Sequence, residues 1–89
     1  MHLDSAETLS LQALGWLVSI EETFARFLTL SGLSLSDVRE RAGEAEFLAA
    51  VMDFVLSDEL VAKGFCEATG IDPAMLQDAR RALPGAAPE

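Results

Sequence analysis

Apolar and polar positions recur along most of this chain with the period of an α-helix, and the pattern is strongest from Glu44 to Leu56. There Phe47, Val51 and Phe54 fall at i, i+4 and i+7, Leu48 and Val55 lie beside them, and Met52 and Leu56 widen the apolar surface. Only Glu46, Ala50, Asp53 and Ser57 form a polar strip, which lets Asp53 reach water between hydrophobic neighbours. A helix so nearly apolar all round predicts that other helices enclose it, with Phe47, Val51, Phe54 and Val55 at the centre.

Those helices are legible on either side. Asp4 and Glu7 have capping-box spacing for a first helix to about Val18, with Leu11, Leu14 and Val18 inward, Leu17 adjoining, and Gly15 admitting a close neighbour. Ser19 with Glu22 predicts a second start, and the helix carries Phe24, Phe27, Leu28 and Leu30 to a stop at Gly32. Ser34 with Asp37 opens a short third helix with Leu35 and Val38 inward, closing at Gly43 before the central one. Ser57 is the expected cap of a fifth helix, in which Leu60, Val61 and Phe65 pack, ending at Gly70. Asp72 and Pro73 form an N-cap and N1 pair for a sixth, with Met75, Leu76, Ala79 and Leu83 inward. No window alternates as a strand does, so the class is all-α. The expectation is a compact bundle of about six short helices over residues 5–83, between a frayed end at 1–4 and a flexible tail at 84–89.

The helices also repeat. Aligning Phe27 with Phe65, an offset of 65 minus 27 or 38 residues, pairs Ser19 with Ser57, Gly32 with Gly70, Ser34 with Asp72 and Val38 with Leu76. Trp16 then falls on Phe54. This predicts two pseudo-repeated three-helix units with helices one and four side by side, although short capped helices produce some such matches by themselves.

Charge narrows the partners. Fifteen acidic residues against six basic give a net charge of -9 in 89 residues, which repels phosphate backbones and anionic lipid. Neither nucleic acid nor a membrane is an expected ligand, and the longest apolar run is too short to span a bilayer. The segments Phe27 to Val38 and Phe65 to Leu76 have the turn chemistry of a helix-turn-helix, but the last helix offers only Gln77, Arg80 and Arg81 to DNA. With one cysteine, Cys66, and no basic n-region at the start, the expected location is cytoplasmic.

Candidate chemistry is sparse. One histidine, His2, and one cysteine cannot build a zinc or redox centre, so no metal or cofactor is expected. Cys66 has no basic neighbour to make it a nucleophile, and Asp53, the one carboxylate in apolar context, lies on the polar strip. Glu22 with Arg26 and Glu59 with Lys63 read as solvated i,i+4 pairs, and no glycine-rich phosphate loop exists. An enzyme is therefore not expected.

What remains is surface. An apolar fraction of 51% is high for a small domain, and Trp16, Leu17, Ile20 and Phe24 exceed what one inward stripe can hold. These four are the candidate interaction surface of a small acidic protein-protein interaction module, its partner another protein or a second copy in a homodimer. The competing readings are an acidic regulator or antitoxin-like inhibitor that covers a basic surface and, behind it, a helix-turn-helix DNA binder.

Ala13-Leu14-Gly15-Trp16-Leu17, Phe27-Leu28-Thr29-Leu30-Ser31-Gly32-Leu33, Arg39-Glu40-Arg41-Ala42-Gly43 with Phe47 to Phe54, and the closing Ala79 to Gly85 together resemble a known family. It is a family of small bacterial proteins known as a domain of unknown function, resembled from about Glu7 to Gly85. The resemblance implies a bacterial, cytosolic, stand-alone helical domain and carries over no catalytic or ligand residue.

Overall fold

The computed structural model describes residues 1–85. Among them are six helices: α1 (Leu3–Val18), α2 (Glu21–Ser31), α3 (Leu35–Arg41), α4 (Ala45–Ser57), α5 (Glu59–Thr69) and α6 (Pro73–Ala82). The all-α bundle is the expected one. The remaining residues, 86–89 of the expected tail, lie outside the described ones.

Helix α4 is the centre. Phe47, Leu48, Ala49, Val51, Met52, Phe54 and Val55 are all buried, α1 lies along α4, and α6 packs on both. The side of α1 that faces them is not the one its large aliphatic residues suggest. Ala6, Leu9, Ser10, Ala13, Leu14 and Leu17 are buried, whereas Leu11 and Val18 are 45% and 49% exposed. Small side chains at positions 6, 10 and 13 let helices approach closely, so the inward stripe is set by fit as much as by hydrophobicity. Ser10, fully buried, donates its hydroxyl to the Ala6 carbonyl at 2.7 Å and leaves no orphan polar atom. The same correction applies to Leu35, Leu60 and Met75, expected inward and found exposed. No helix of the described residues is long and apolar enough to cross a membrane.

The turns follow local chemistry, with shifts of a residue or two. Gly32 and Gly70 both adopt left-handed backbone, φ 72° and 76°, and each returns its N–H to the carbonyl four residues earlier, at 2.9 Å to Leu28 and 2.8 Å to Cys66. Ser34 and Asp37 form a complete capping box, and Asp72 caps α6 with Pro73 at its first turn. Three expected caps are not made. Helix α1 begins at Leu3, inside the segment read as a frayed end, with His2 at its N-cap position, so Asp4 lies in the first turn. Ser19 and Ser57 end helices rather than start them, their hydroxyls donating back to Trp16 O at 2.6 Å and Phe54 O at 2.8 Å. Asp58 caps α5 instead, accepting from the Leu60 and Val61 amides. Helix α3 closes at Ala42, one residue before the expected Gly43, and α4 starts from Glu44.

The repeat is visible in this frame. Helices α2 and α5 have 11 residues each and begin and end at the repeat offset, as do the two left-handed glycines, the caps Ser34 and Asp72, and the back-bonded Ser19 and Ser57. The equivalent helices α1 and α4 lie side by side. Equivalence ends at the third helices: α6 packs broadly on α1 and α4, while seven-residue α3 touches its neighbours lightly.

Candidate interaction surface

Each unit sends one aromatic ring onto the second helix of the other. Trp16 of α1 meets Phe65 of α5 edge to face, centroids 5.7 Å apart at 61°, and Phe54 of α4 meets Phe27 of α2 in the same way at 5.4 Å and 68°. Under exchange of the units these are one contact, since Trp16 is equivalent to Phe54 and Phe65 to Phe27. Their surroundings differ. The Arg26 guanidinium lies 5.5 Å from the Phe54 centroid and is held there by Asp58 at 2.8 Å, closing that ring beneath a cation. At the position equivalent to Arg26 the second unit has Gly64, and Trp16 rests on it: a Cβ there would stand 3.2 Å from Cζ2 and 3.3 Å from Cη2 of the indole. Glycine makes the seat for the larger ring, and Trp16 stays half-buried.

The four residues expected at the surface thus divide. Leu17 is fully buried against the core and is removed from the surface. Trp16, Ile20 and Phe24 are each half-buried, Phe24 stacked on Phe27 at 6.4 Å and 21°, and the Ile20 carbonyl accepts the Phe24 amide at 2.9 Å. The patch is narrower than expected because Leu17 lies in the core, the Trp16 ring meets Phe65 and the Phe24 ring stacks on Phe27. The close approach expected at Gly15 occurs at Gly64 instead, Gly15 having no atom within 4 Å of its Cβ position. The most exposed large apolar side chain is Leu60, at 81%, one turn before Gly64 on α5.

A second apolar feature lies beside it. Ala62 and Cys66 of α5 and Ile71 and Pro73 beyond the turn line an open groove of about 460 Å³, rimmed by Glu59, Lys63 and Glu67. The Gly70 turn and the Asp72 cap, which accepts from the Ala74 amide at 2.9 Å, set the angle between its walls. Burial pushes the Cys66 thiol up, and the Asp72 charge adds to the effect, so the thiolate is disfavoured and Cys66 acts as floor. Sequence reasoning missed this groove. The repeat held the signal in its mismatches, since Ala62 and Cys66 stand where the first unit has Phe24 and Leu28.

Electrostatics around these features is one-sided. Arg26, Lys63, Arg80 and Arg81, four of the six basic residues, are in ion pairs with Asp58, Glu67, Asp53 and Asp78. The partners of Arg26 and Lys63 are not the expected Glu22 and Glu59. Arg80 is the most committed, with Nε 2.6 Å from Asp53 Oδ1 and its terminal nitrogens donating to the Pro84 and Gly85 carbonyls at 3.1 Å each. The first two residues of the expected flexible tail are tied down in this way. Among the described residues no group of three His, Cys, Asp or Glu side chains converges as metal ligands would.

Fold and surface together define a small all-helical domain of two unequal three-helix units with an acidic exterior. The chain belongs to the family described as protein of unknown function (DUF3572), whose model matches residues 3–86. Neither the curated proteins nor the solved structures provide a match.

Proposed function

We propose that this chain is a small acidic protein-interaction module and that its natural partner is a protein with a basic, apolar-spotted surface. The observation that carries the reading is apolar surface left outside a filled core: Leu60 and Leu30 stand 81% and 70% exposed, and Trp16, Ile20 and Phe24 are only half-buried. Isolated exposed leucines are ordinary, but with the apolar α5–α6 groove on the same small domain they leave the kind of surface that partners cover. Charge selects the partner. With four basic residues already paired, most carboxylates face outward unneutralised, which favours association with cations and disfavours DNA and anionic lipid. Arg80 and Arg81 of α6 are engaged with Asp53 and Asp78, which weighs against α6 as a recognition helix. The reading includes no enzymatic activity, and the free Cys66 with the family resemblance supports a bacterial cytoplasmic setting.

Photocrosslinking in cells from positions 20 and 60, each carrying a photoreactive side chain, tests it. The expected product is one dominant adduct to a basic protein, lost when a lysate is brought to high salt before irradiation. A ladder of unrelated adducts, or none above that from an outward position such as Glu40, would remove the reading.

Self-association is the second reading, favoured by the exposed stripe Leu11, Gly15 and Val18 on α1, whose glycine leaves open space for a facing helix. Sedimentation equilibrium across micromolar concentrations decides it. A dimer that Val18→Glu dissociates supports a homodimer through α1, and a monomer throughout ends it.

A further inference from the structure

The groove between α5 and α6 has a filled counterpart in the same molecule. At the repeat offset Phe24 and Leu28 stand where Ala62 and Cys66 form the groove floor, and Leu33 stands where Ile71 does. Both sets pack in or against the core, and Leu33 and Ile71 match in size, so the copies differ in volume at two positions, where Phe24 and Leu28 are bulky and Ala62 and Cys66 are small. The missing groups are a phenyl ring and a branched aliphatic end, one helical turn apart. Around the gap the charge is mostly negative: Glu59 and Glu67 rim the groove, Asp72 caps the adjoining α6, and Lys63 lies 3.9 Å from Glu67.

We propose that the α5–α6 groove binds an amphipathic helix of a partner protein, presenting two bulky apolar side chains one turn apart and flanked by lysine or arginine. The inference rests on the reading of the chain as an acidic interaction module and names the partner's chemistry. A helix laid along α5 places side chains at i and i+4 over Ala62 and Cys66, which share that spacing, and brings its basic flanks to Glu59 and Glu67. Leu60, exposed beside the rim, supplies apolar contact at the edge. A second copy of this chain fits less well, because each copy brings a net charge of -9. A fatty acid would set its carboxylate among carboxylates.

Fluorescence anisotropy with a labelled, stapled helical peptide tests this, its sequence lysine-rich with Phe and Leu one turn apart, titrated with the full chain. Saturable binding is expected, weakened at least about tenfold when the peptide's Phe and Leu are replaced by Ala. The double variant Ala62→Phe/Cys66→Leu, which restores the first unit's residues, should weaken binding by at least about tenfold while keeping the wild-type circular dichroism and melt. Glu59→Lys/Glu67→Lys should also bind less, with a shallower salt dependence, and covers the case in which the filled variant folds poorly. Slower alkylation of Cys66 in the presence of peptide places the helix on the groove floor. Absence of binding to the wild type, or a folded filled variant that binds as well as wild type, overturns the proposal. A chain that crosslinks to a basic partner in cells and ignores the peptide loses this inference and keeps the interaction reading.

Discussion

The two halves of the molecule share a frame and differ in what fills it. Glycine turns, helix lengths and back-bonded serines match across the offset, and the rings of Trp16 and Phe54 cross between units in the same geometry. In the first half the frame is closed by its own side chains, with Phe24 and Leu28 on α2 and Arg26 over the Phe54 ring. In the second, Gly64, Ala62 and Cys66 occupy the equivalent positions, leaving a half-open indole and a groove. Main-chain caps and turns are held constant across the two halves, while side-chain volume decides whether a helix pair is sealed or left open.

The largest test removes the two equivalent core rings. Phe27→Ala and Phe65→Ala should each destabilise by about 3–5 kcal/mol, as large-to-small core changes do. Phe27 should be the more costly, because it meets the rings of Phe24, Phe47 and Phe54 whereas Phe65 pairs with Trp16. Urea midpoints measure both. A larger loss at Phe65 would mean that the second half, not the first, holds the denser packing.

The turns should respond alike. Gly32→Ala and Gly70→Ala each place a Cβ at φ above 70° and should cost about 1 kcal/mol, equal within error by thermal melts. Unequal costs would show that one turn relaxes and that the common frame is looser than the backbone angles indicate.

Two glycines inside helices separate the halves more finely. Gly15→Ala meets open space and should stabilise by about 0.5–1 kcal/mol through helix propensity. Gly64→Ala gains the same propensity but presses on the indole at 3.2 Å, so its net effect should be smaller or reversed, with a red shift of Trp16 fluorescence as the ring moves outward. Identical gains with unchanged emission would show that Trp16 yields without cost.

The smallest effect is a pH dependence peculiar to the first half. Hydrogen bonds from the Ser34 amide and hydroxyl hold the Asp37 carboxyl below its ordinary value, whereas α6 has Met75 at the equivalent position. A lowered folded-state value means that Asp37 stabilises the fold above the ordinary aspartate range, about 3.9, and that this contribution disappears as pH falls through the folded value. Melts of wild type and Asp37→Asn should therefore differ at pH 6 and converge in stronger acid. Curves that stay parallel throughout would assign the box to the hydroxyl alone.

Much of the candidate surface was not legible in advance. Trp16, Ile20 and Phe24 reach solvent in part, but Leu17 is buried and Leu60 and Gly64 were not singled out for the surface. Neighbouring aliphatic residues on α1 and α5 carry similar hydrophobicity, and only the direction from which another helix arrives separates Leu9 from Leu11 or Val61 from Leu60. The signal that did exist was comparative: small residues in one unit opposite large ones in the other.

By itself the sequence determined six helices, their order, the central place of α4 and the chemistry at Gly32, Ser34, Gly70 and Asp72, because caps and turns are settled by side chains within about four residues of the backbone they serve. The tertiary structure alone decided that Ala6, Ser10 and Ala13 face inward, that Gly64 seats Trp16, that Arg26 turns to Asp58 and that the α5–α6 groove stays open. Each of these depends on volume and charge delivered by a helix distant in sequence. Packing weighs shape between surfaces that meet only after the chain has folded, and hydrophobic periodicity records no shape.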